Sequence, residues 1–178
     1  FNIWANMYFE PNVGYGYGSS DAAITSTDSE TFSSRTYVAP SFGFKFGYHV
    51  DYVYLVLDTR YSIVNLVDRS TGGSSGVTNL GIGIGWDWNL PIRTFIGYDF
   101  KADSTFSGAS TTGSGQRLSI GYYLNLKTLM SLEFVNFKTE GESGTTDISI
   151  SSTYTMLTFS FPIDFTYPET SWKDKVRQ

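Results

Sequence analysis

The 178-residue chain contains no cysteine, which excludes a disulfide framework and any thiolate metal site. It contains one histidine, His49, too few to build a zinc site without cysteine. No stretch approaches the ~18 consecutive apolar residues of a transmembrane helix. Charge is scarce as well. Asp, Glu, Lys and Arg make up 16% of the residues, against roughly 25% in ordinary soluble domains. The net charge of −5, with no clustered basic face, argues against nucleic acid as a partner. The length suits one domain.

What the chain does have is aromatic residues, at 17%, and a hydrophobic period of two that recurs in eight runs. The first, about 5–17, sets Met7, Phe9, Val13, Tyr15 and Tyr17 against Asn6, Glu10, Asn12, Gly14 and Gly16. The second, about 36–48, sets Val38, Phe42, Phe44, Phe46 and Tyr48 against Ala39, Ser41, Gly43, Lys45 and Gly47. In the third, about 52–63, Val53, Leu55, Leu57, Tyr61 and Ile63 oppose Tyr54, Asp58, Arg60 and Ser62. The fourth is the most regular: Leu80, Ile82, Ile84, Trp86 and Trp88 oppose Asn79, Gly81, Gly83, Gly85 and Asp87. In the fifth, Ile92, Ile96, Tyr98 and Phe100 oppose Arg93, Phe95, Gly97 and Asp99. In the sixth, Leu118, Ile120, Tyr122, Leu124 and Leu126 oppose Arg117, Ser119, Gly121, Tyr123 and Asn125. The seventh, about 129–139, starts with Leu132 and Phe134 against Ser131 and Glu133, but Val135 and Phe137 then fall on the polar face. A bulge is expected there. The eighth, 155–165, carries Leu157, Phe159, Phe161, Ile163 and Phe165 on one face. Pro11 and Pro40 lie inside the first two runs; proline donates nothing to a ladder, so a bulge is expected at each.

The connections alternate in length. Residues 49–51, 89–91 and 127–128 read as tight turns, and 18–35, 64–78, 101–115 and 140–153 as long loops rich in Ser, Thr and Gly. Short turns at one end and long loops at the other are the asymmetry of an outer-membrane barrel, with short turns and both termini on the periplasmic side. Volume decides which face points inward. An eight-stranded barrel has an interior just wide enough for side chains. The large apolar set would overfill it, whereas the Gly, Ser, Asn and scattered charges fit. The apolar face is therefore expected outside, in lipid, and the mean hydropathy of −0.15 is what such alternation averages to. A soluble barrel with the opposite orientation is the competing reading; it would show water a glycine-rich, charge-poor wall.

The strand Tyr8-Phe-Glu-Pro-Asn-Val-Gly-Tyr-Gly-Tyr17, the turn and strand Leu90-Pro-Ile-Arg-Thr-Phe-Ile-Gly-Tyr98, and the alternating bulky residues up to Phe165 resemble the small eight-stranded outer-membrane barrels similar to OmpA and OmpX. The resemblance covers 5–165 by pattern and rests on no single specific motif. It implies an all-β, antiparallel, up-and-down transmembrane barrel over 1–165 in a Gram-negative outer membrane, surrounded by its lipids. It also implies a last strand read by barrel-insertion machinery. Many members stop at the terminal aromatic, so 166–178 is expected to be a periplasmic tail. No leader is visible at Phe1, and an exported chain would be numbered here from its cleavage site.

Two sets of residues follow from the orientation. Tyr48, Trp88 and Phe165 at the periplasmic end, and Tyr15, Tyr17, Tyr61, Tyr98 and Phe100 at the outer end, are expected to form aromatic girdles at the headgroup level. Glu10, Asp58, Asp87, Asp99 and Glu133, with Lys45, Arg60, Arg93 and Arg117, are expected to fill the lumen as a charge network. By depth, Glu10, Asp58, Arg60, Arg117 and Glu133 fall centrally, with Asp87 and Arg93 near the periplasmic mouth. The near balance of sign suits a plugged interior better than a selective pore, which carries an excess of one sign.

Catalytic signals are weak. His49 is the single candidate base for a triad and sits in a periplasmic turn, where a solvated histidine is the plainer reading. The runs 14–18 and 81–85 alternate glycine without the spacing of a phosphate loop. Asp21, Asp28, Glu30, Glu140, Glu142 and Asp147 lack the ordered spacing of a calcium loop. No metal or cofactor is expected. The leading expectation is a monomeric, non-enzymatic barrel with a structural or surface-binding role, any extracellular ligand meeting the long loops. A narrow channel or conduit for small or hydrophobic solutes comes next, then an enzyme, then a soluble ligand-binding barrel.

Overall fold

A computed structural model describes residues 7–25, 29–50, 52–67, 73–88, 90–106, 109–125, 127–143 and 146–164. Phe165 and the tail 166–178 lie outside the described residues, as does Asp28. The strands are β1 (Met7–Thr25), β2 (Ser29–Val50), β3 (Val53–Leu66), β4 (Gly73–Asp87), β5 (Ile92–Phe106), β6 (Ala109–Asn125), β7 (Thr128–Ser143), β8 (Thr146–Ser160) and the two-residue β9 (Ile163–Asp164). β1 to β8 each pair antiparallel with their sequence neighbours, and β1 closes the sheet against both β2 and β8. β9 follows β8 on the same side of β1 and continues the eighth wall. The result is an eight-stranded up-and-down antiparallel barrel of the outer-membrane type. From Gly14, the pairing through Ser41 and Ser62 reaches Val77 of β4. The opposite path, through Thr158, Ser131, Gly121 and Arg93, reaches Asp87. The stagger between those two positions tilts the strands by about 35–45°.

The two prolines are accommodated differently. At Pro40 the ladder shifts register against both neighbours, between Gly14 and Gly16 on β1 and between Val38 and Ser41 across to β3. That bulge turns Val38 inward, fully buried, not outward beside Phe42 as its place in the alternation suggested. Pro11 pairs with Phe44 without a shift, so no bulge forms there. Its carbonyl accepts the Phe161 N–H at 2.9 Å. The missing proline donor therefore faces the point where β8 gives way to β9, and the irregularity falls on the partner.

Two further expectations change. β7 has no bulge: its register runs unbroken against β6 from Leu129 to Glu140 and against β8 from Leu129 to Ser143. Val135 and Phe137 point inward because the lumen is apolar at their height. The segments expected as long loops are mostly strand. β1 and β8 stay paired without a shift up to Thr25 and Asp147, and only short stretches separate the paired tips. The barrel wall thus continues past the apolar band by roughly 15–20 Å.

Outside the lower barrel, Phe44, Leu57, Ile84, Ile96, Ile120 and Phe159 stand exposed in a continuous apolar band. Ile96 is 61% exposed. A face this large and apolar belongs in lipid, where a closed ladder pairs the backbone internally. Higher up, the outward residues are polar, among them Ser19, Asp21, Thr78, Thr112, Glu140 and Ser151.

Candidate functional site in the barrel lumen

The interior is filled in tiers, each set by which residues alternate inward at a given height. Near the mouth at the short-turn end Arg93 of β5 is the hub. Its Nε and Nη2 donate to Asp87 at 2.7 and 3.2 Å, and Nη1 donates to Glu10 at 2.6 Å. It also donates to the hydroxyls of Tyr8 and Tyr123, and its guanidinium lies 4.0 Å from the Tyr54 ring centre. Tyr54 donates to Asp87 at 2.5 Å, Tyr123 donates to it at 3.1 Å, and Tyr8 donates to Glu10. Lys45 donates to Glu10 at 3.0 Å while packing 4.5 Å over Phe95. Beneath this cluster His49 stacks on Tyr54, ring centres 4.2 Å apart.

The middle tier holds Asp58 and Arg60 from β3, Asp99 from β5, Arg117 from β6 and Glu133 from β7, all buried. Arg60 grips Glu133 bidentately at 2.6 and 3.2 Å. Arg117 donates to Asp99, which also accepts from Asn79 at 2.9 Å. The Arg117 Nη1 lies 2.8 Å from Asp58 as an ion pair, at an angle that makes no hydrogen bond. Both Asp58 oxygens, the Asn79 Oδ1, the Arg60 Nε and the Arg117 Nε and Nη1 lack hydrogen-bond partners among the described residues. Glycine makes the room: a Cβ at Gly81 would overlap Asp99, and one at Gly83 would overlap the Phe95 ring.

Above the charges lies an apolar tier of Val38, Val64, Val77, Val135, Phe137, Tyr154 and Met156. Hydroxyl pairs come next: Ser20 with Ser152 at 2.8 Å, Ser75 with Ser104 at 2.7 Å, and Thr111 donating to Thr139 at 2.9 Å. Ala22, Ala109, Ile148 and Ile150, with Leu66 against them, form the uppermost apolar cluster. The cavity in this upper lumen is about 30 Å³, room for water and not for an organic solute.

All nine charged residues singled out in the sequence are thus buried, but their grouping differs from the depth expected. Glu10 joins Arg93 and Lys45 below, and Asp99 joins the middle tier, because the strand tilt carries hydrogen-bonded neighbours to different heights. Sequence reasoning left out Tyr8, Tyr54, Tyr123 and Asn79; three of these stood on the inward side of the alternation, which was the available signal. Among the aromatic positions, Tyr15, Tyr17, Tyr48, Tyr61, Trp88, Tyr98 and Phe100 are all exposed on the outer wall. Tyr37 bridges Tyr15 and Tyr17 at 6.2 and 6.3 Å, and Trp88 donates to Thr94 at 3.2 Å. Beyond the band, Lys101 hydrogen-bonds Asp103 and holds its carboxyl below the usual range.

No family model matches the chain, and no curated protein matches it. Among solved structures it is similar to the outer membrane protein OprG from Pseudomonas aeruginosa, at 13% identity, covering 89% of this chain and 96% of that one, with a TM-score of 0.45. It is similar to Neisserial surface protein A at 12% identity, covering 85% and 96%, with a TM-score of 0.41. The attachment invasion locus protein of Yersinia pestis follows at 9% identity, 84% and 98% coverage and a TM-score of 0.41. These likenesses are distant, and the assignment of the fold rests on the strand ladder and the faces of this chain.

Proposed function

We propose that this chain is a monomeric, non-enzymatic barrel of a bacterial outer membrane, closed to solutes, that presents its projecting end to partners outside the cell. The observation that carries the closed lumen is the unbroken stack of filled tiers from Arg93 to Ile150. The surface role rests on the projecting end being wall and not loop. Paired strands hold Ser, Thr, Asp and Glu side chains in fixed positions, so a partner meets an ordered polar surface at little ordering cost. The exposed aromatic residues act as girdles in this reading, the last strand serves the insertion machinery, and the tail lies in the periplasm. The non-enzymatic reading rests on His49 lying against the periplasmic turn, stacked on a tyrosine, away from the upper cavity. A conduit is not favoured, because the upper cavity is too small for an organic solute.

The test is conductance of the purified protein in planar bilayers. The expected result is no opening above baseline, or small unstable events. Large, steady single-channel currents would overturn the closed lumen and promote the channel.

A further inference from the structure

Two tiers of the lumen differ in what they offer water. The middle tier carries buried polar atoms of both kinds without hydrogen-bond partners among the described residues: acceptors on Asp58 and Asn79, donors on Arg60 and Arg117. Of these, one Asp58 oxygen and the Arg117 Nη1 meet as an ion pair. Buried polar groups left by the protein's own hydrogen bonds are normally satisfied by internal water. Water alone both donates to the first set and accepts from the second, and a carboxylate beside two guanidiniums leaves no need for an added ion. The cluster at the short-turn end is polar too, lined by three tyrosine hydroxyls and a guanidinium. The tier immediately above is of another character. Val38, Val64, Val77, Val135 and Phe137 are all buried to 4% exposure or less and offer a water molecule nothing to bond, leaving the hydroxyl of Tyr154 as the one group in the cluster that does. Its floor is Met156, whose sulfur lies 3.9 Å from Arg60. Apolar space of this kind stays dry.

We infer that the middle charged tier is hydrated and that the dry apolar tier above it, not the ion pairs, is the barrier that stops ions. An ion reaching the middle tier finds carboxylates, guanidiniums and water able to replace its hydration shell. One step higher it finds none, which is how hydrophobic constrictions close pores. The ion pairs then serve to hold the strands in register and to keep the interior neutral. This inference rests on the closed lumen proposed above and says where the closure resides.

The experiment compares two variants with the wild type in planar bilayers, folding being checked by heat-modifiable gel mobility. In the first, Val64→Thr, Val77→Thr and Val135→Thr together give the tier hydroxyls while keeping its shape. In the second, Arg60→Met with Glu133→Leu removes an ion pair and leaves the apolar tier intact. The expected result is discrete openings from the threonine variant and none from the ion-pair variant. Should the threonine variant not fold, Phe137→Ser, which opens the same tier at one position, takes its place with the same expectation. Openings from the ion-pair variant, or silence from a folded wetted tier, would overturn the inference while leaving the closed lumen standing. Steady currents from the wild type would overturn the closed lumen, and this inference with it.

Discussion

The barrel has two regions built from the same strands with opposite polarity. In the lower region the wall shows apolar side chains outward and encloses charge. In the upper region it shows Ser, Thr and acids outward and encloses Val, Ile, Ala and Phe, with paired hydroxyls between them. Along β8 the change happens within one strand. Leu157 and Phe159 are outside with Thr158 and Ser160 inside, whereas Ser149 and Ser151 are outside with Ile148 and Ile150 inside. The difference teaches that the ladder does not dictate polarity. The solvent around each height does: lipid below accepts apolar faces, and water above drives the same faces into the interior. The upper part is folded like a small soluble barrel set on a membrane one.

The comparison breaks most severely if the lower interior loses one member of an ion pair. Arg60→Ala leaves Glu133 buried and unpaired, and should cost about 3–5 kcal/mol. Removing both partners as Arg60→Met with Glu133→Leu should cost much less, because no charge is stranded. Urea unfolding in lipid vesicles, followed by tryptophan fluorescence, measures both. Equal losses would mean that Glu133 finds another partner.

The outward faces come next. Arg at Ile84, in the apolar band, should cost about 2–4 kcal/mol. Arg at the outward position Ser151 should stay within about 0.5 kcal/mol of wild type. The same unfolding assay separates them, and similar costs at both sites would erase the boundary between the regions. A smaller loss than at Ile84 sharpens the upper interior. Ile150→Ser puts a hydroxyl into the upper apolar cluster and should cost about 1–3 kcal/mol. Hydrogen exchange should show the loss confined to the projecting hairpins, where opening is local. A neutral outcome would mean that this cluster does not hold the projecting wall together.

Much of the lower barrel was legible in the sequence because a lipid-facing wall demands a strong, regular contrast. Ile82, Ile84 and Trp86 against Gly81, Gly83 and Gly85 admit one orientation. The inward charges were legible for the same reason, since a charge in an otherwise apolar strand has nowhere else to go. The upper wall was not legible. Ser and Thr dominate it, and their contrast with Ala and Ile is too weak to mark a period of two. Hydroxyl-rich strands therefore passed for loops. Val135 and Phe137 misled for a related reason. They obey the alternation of β7, but at a height where the interior has turned apolar, and a bulge was the explanation available to a reader who assumed one polarity throughout.

The amino-acid sequence by itself determined the strand number, the antiparallel order, and the inward and outward sets of most of the lower barrel. These are properties of period, length and volume, all local to a strand or additive over strands. Only the tertiary structure decided which charges meet. Strand tilt and the shifts at Pro40 and between Asp99 and Ala102 set the height of each side chain, so Glu10 reaches Arg93 from across the lumen and Asp99 reaches Arg117. Which groups pair depends on the closure of the whole sheet, and no single strand carries that information.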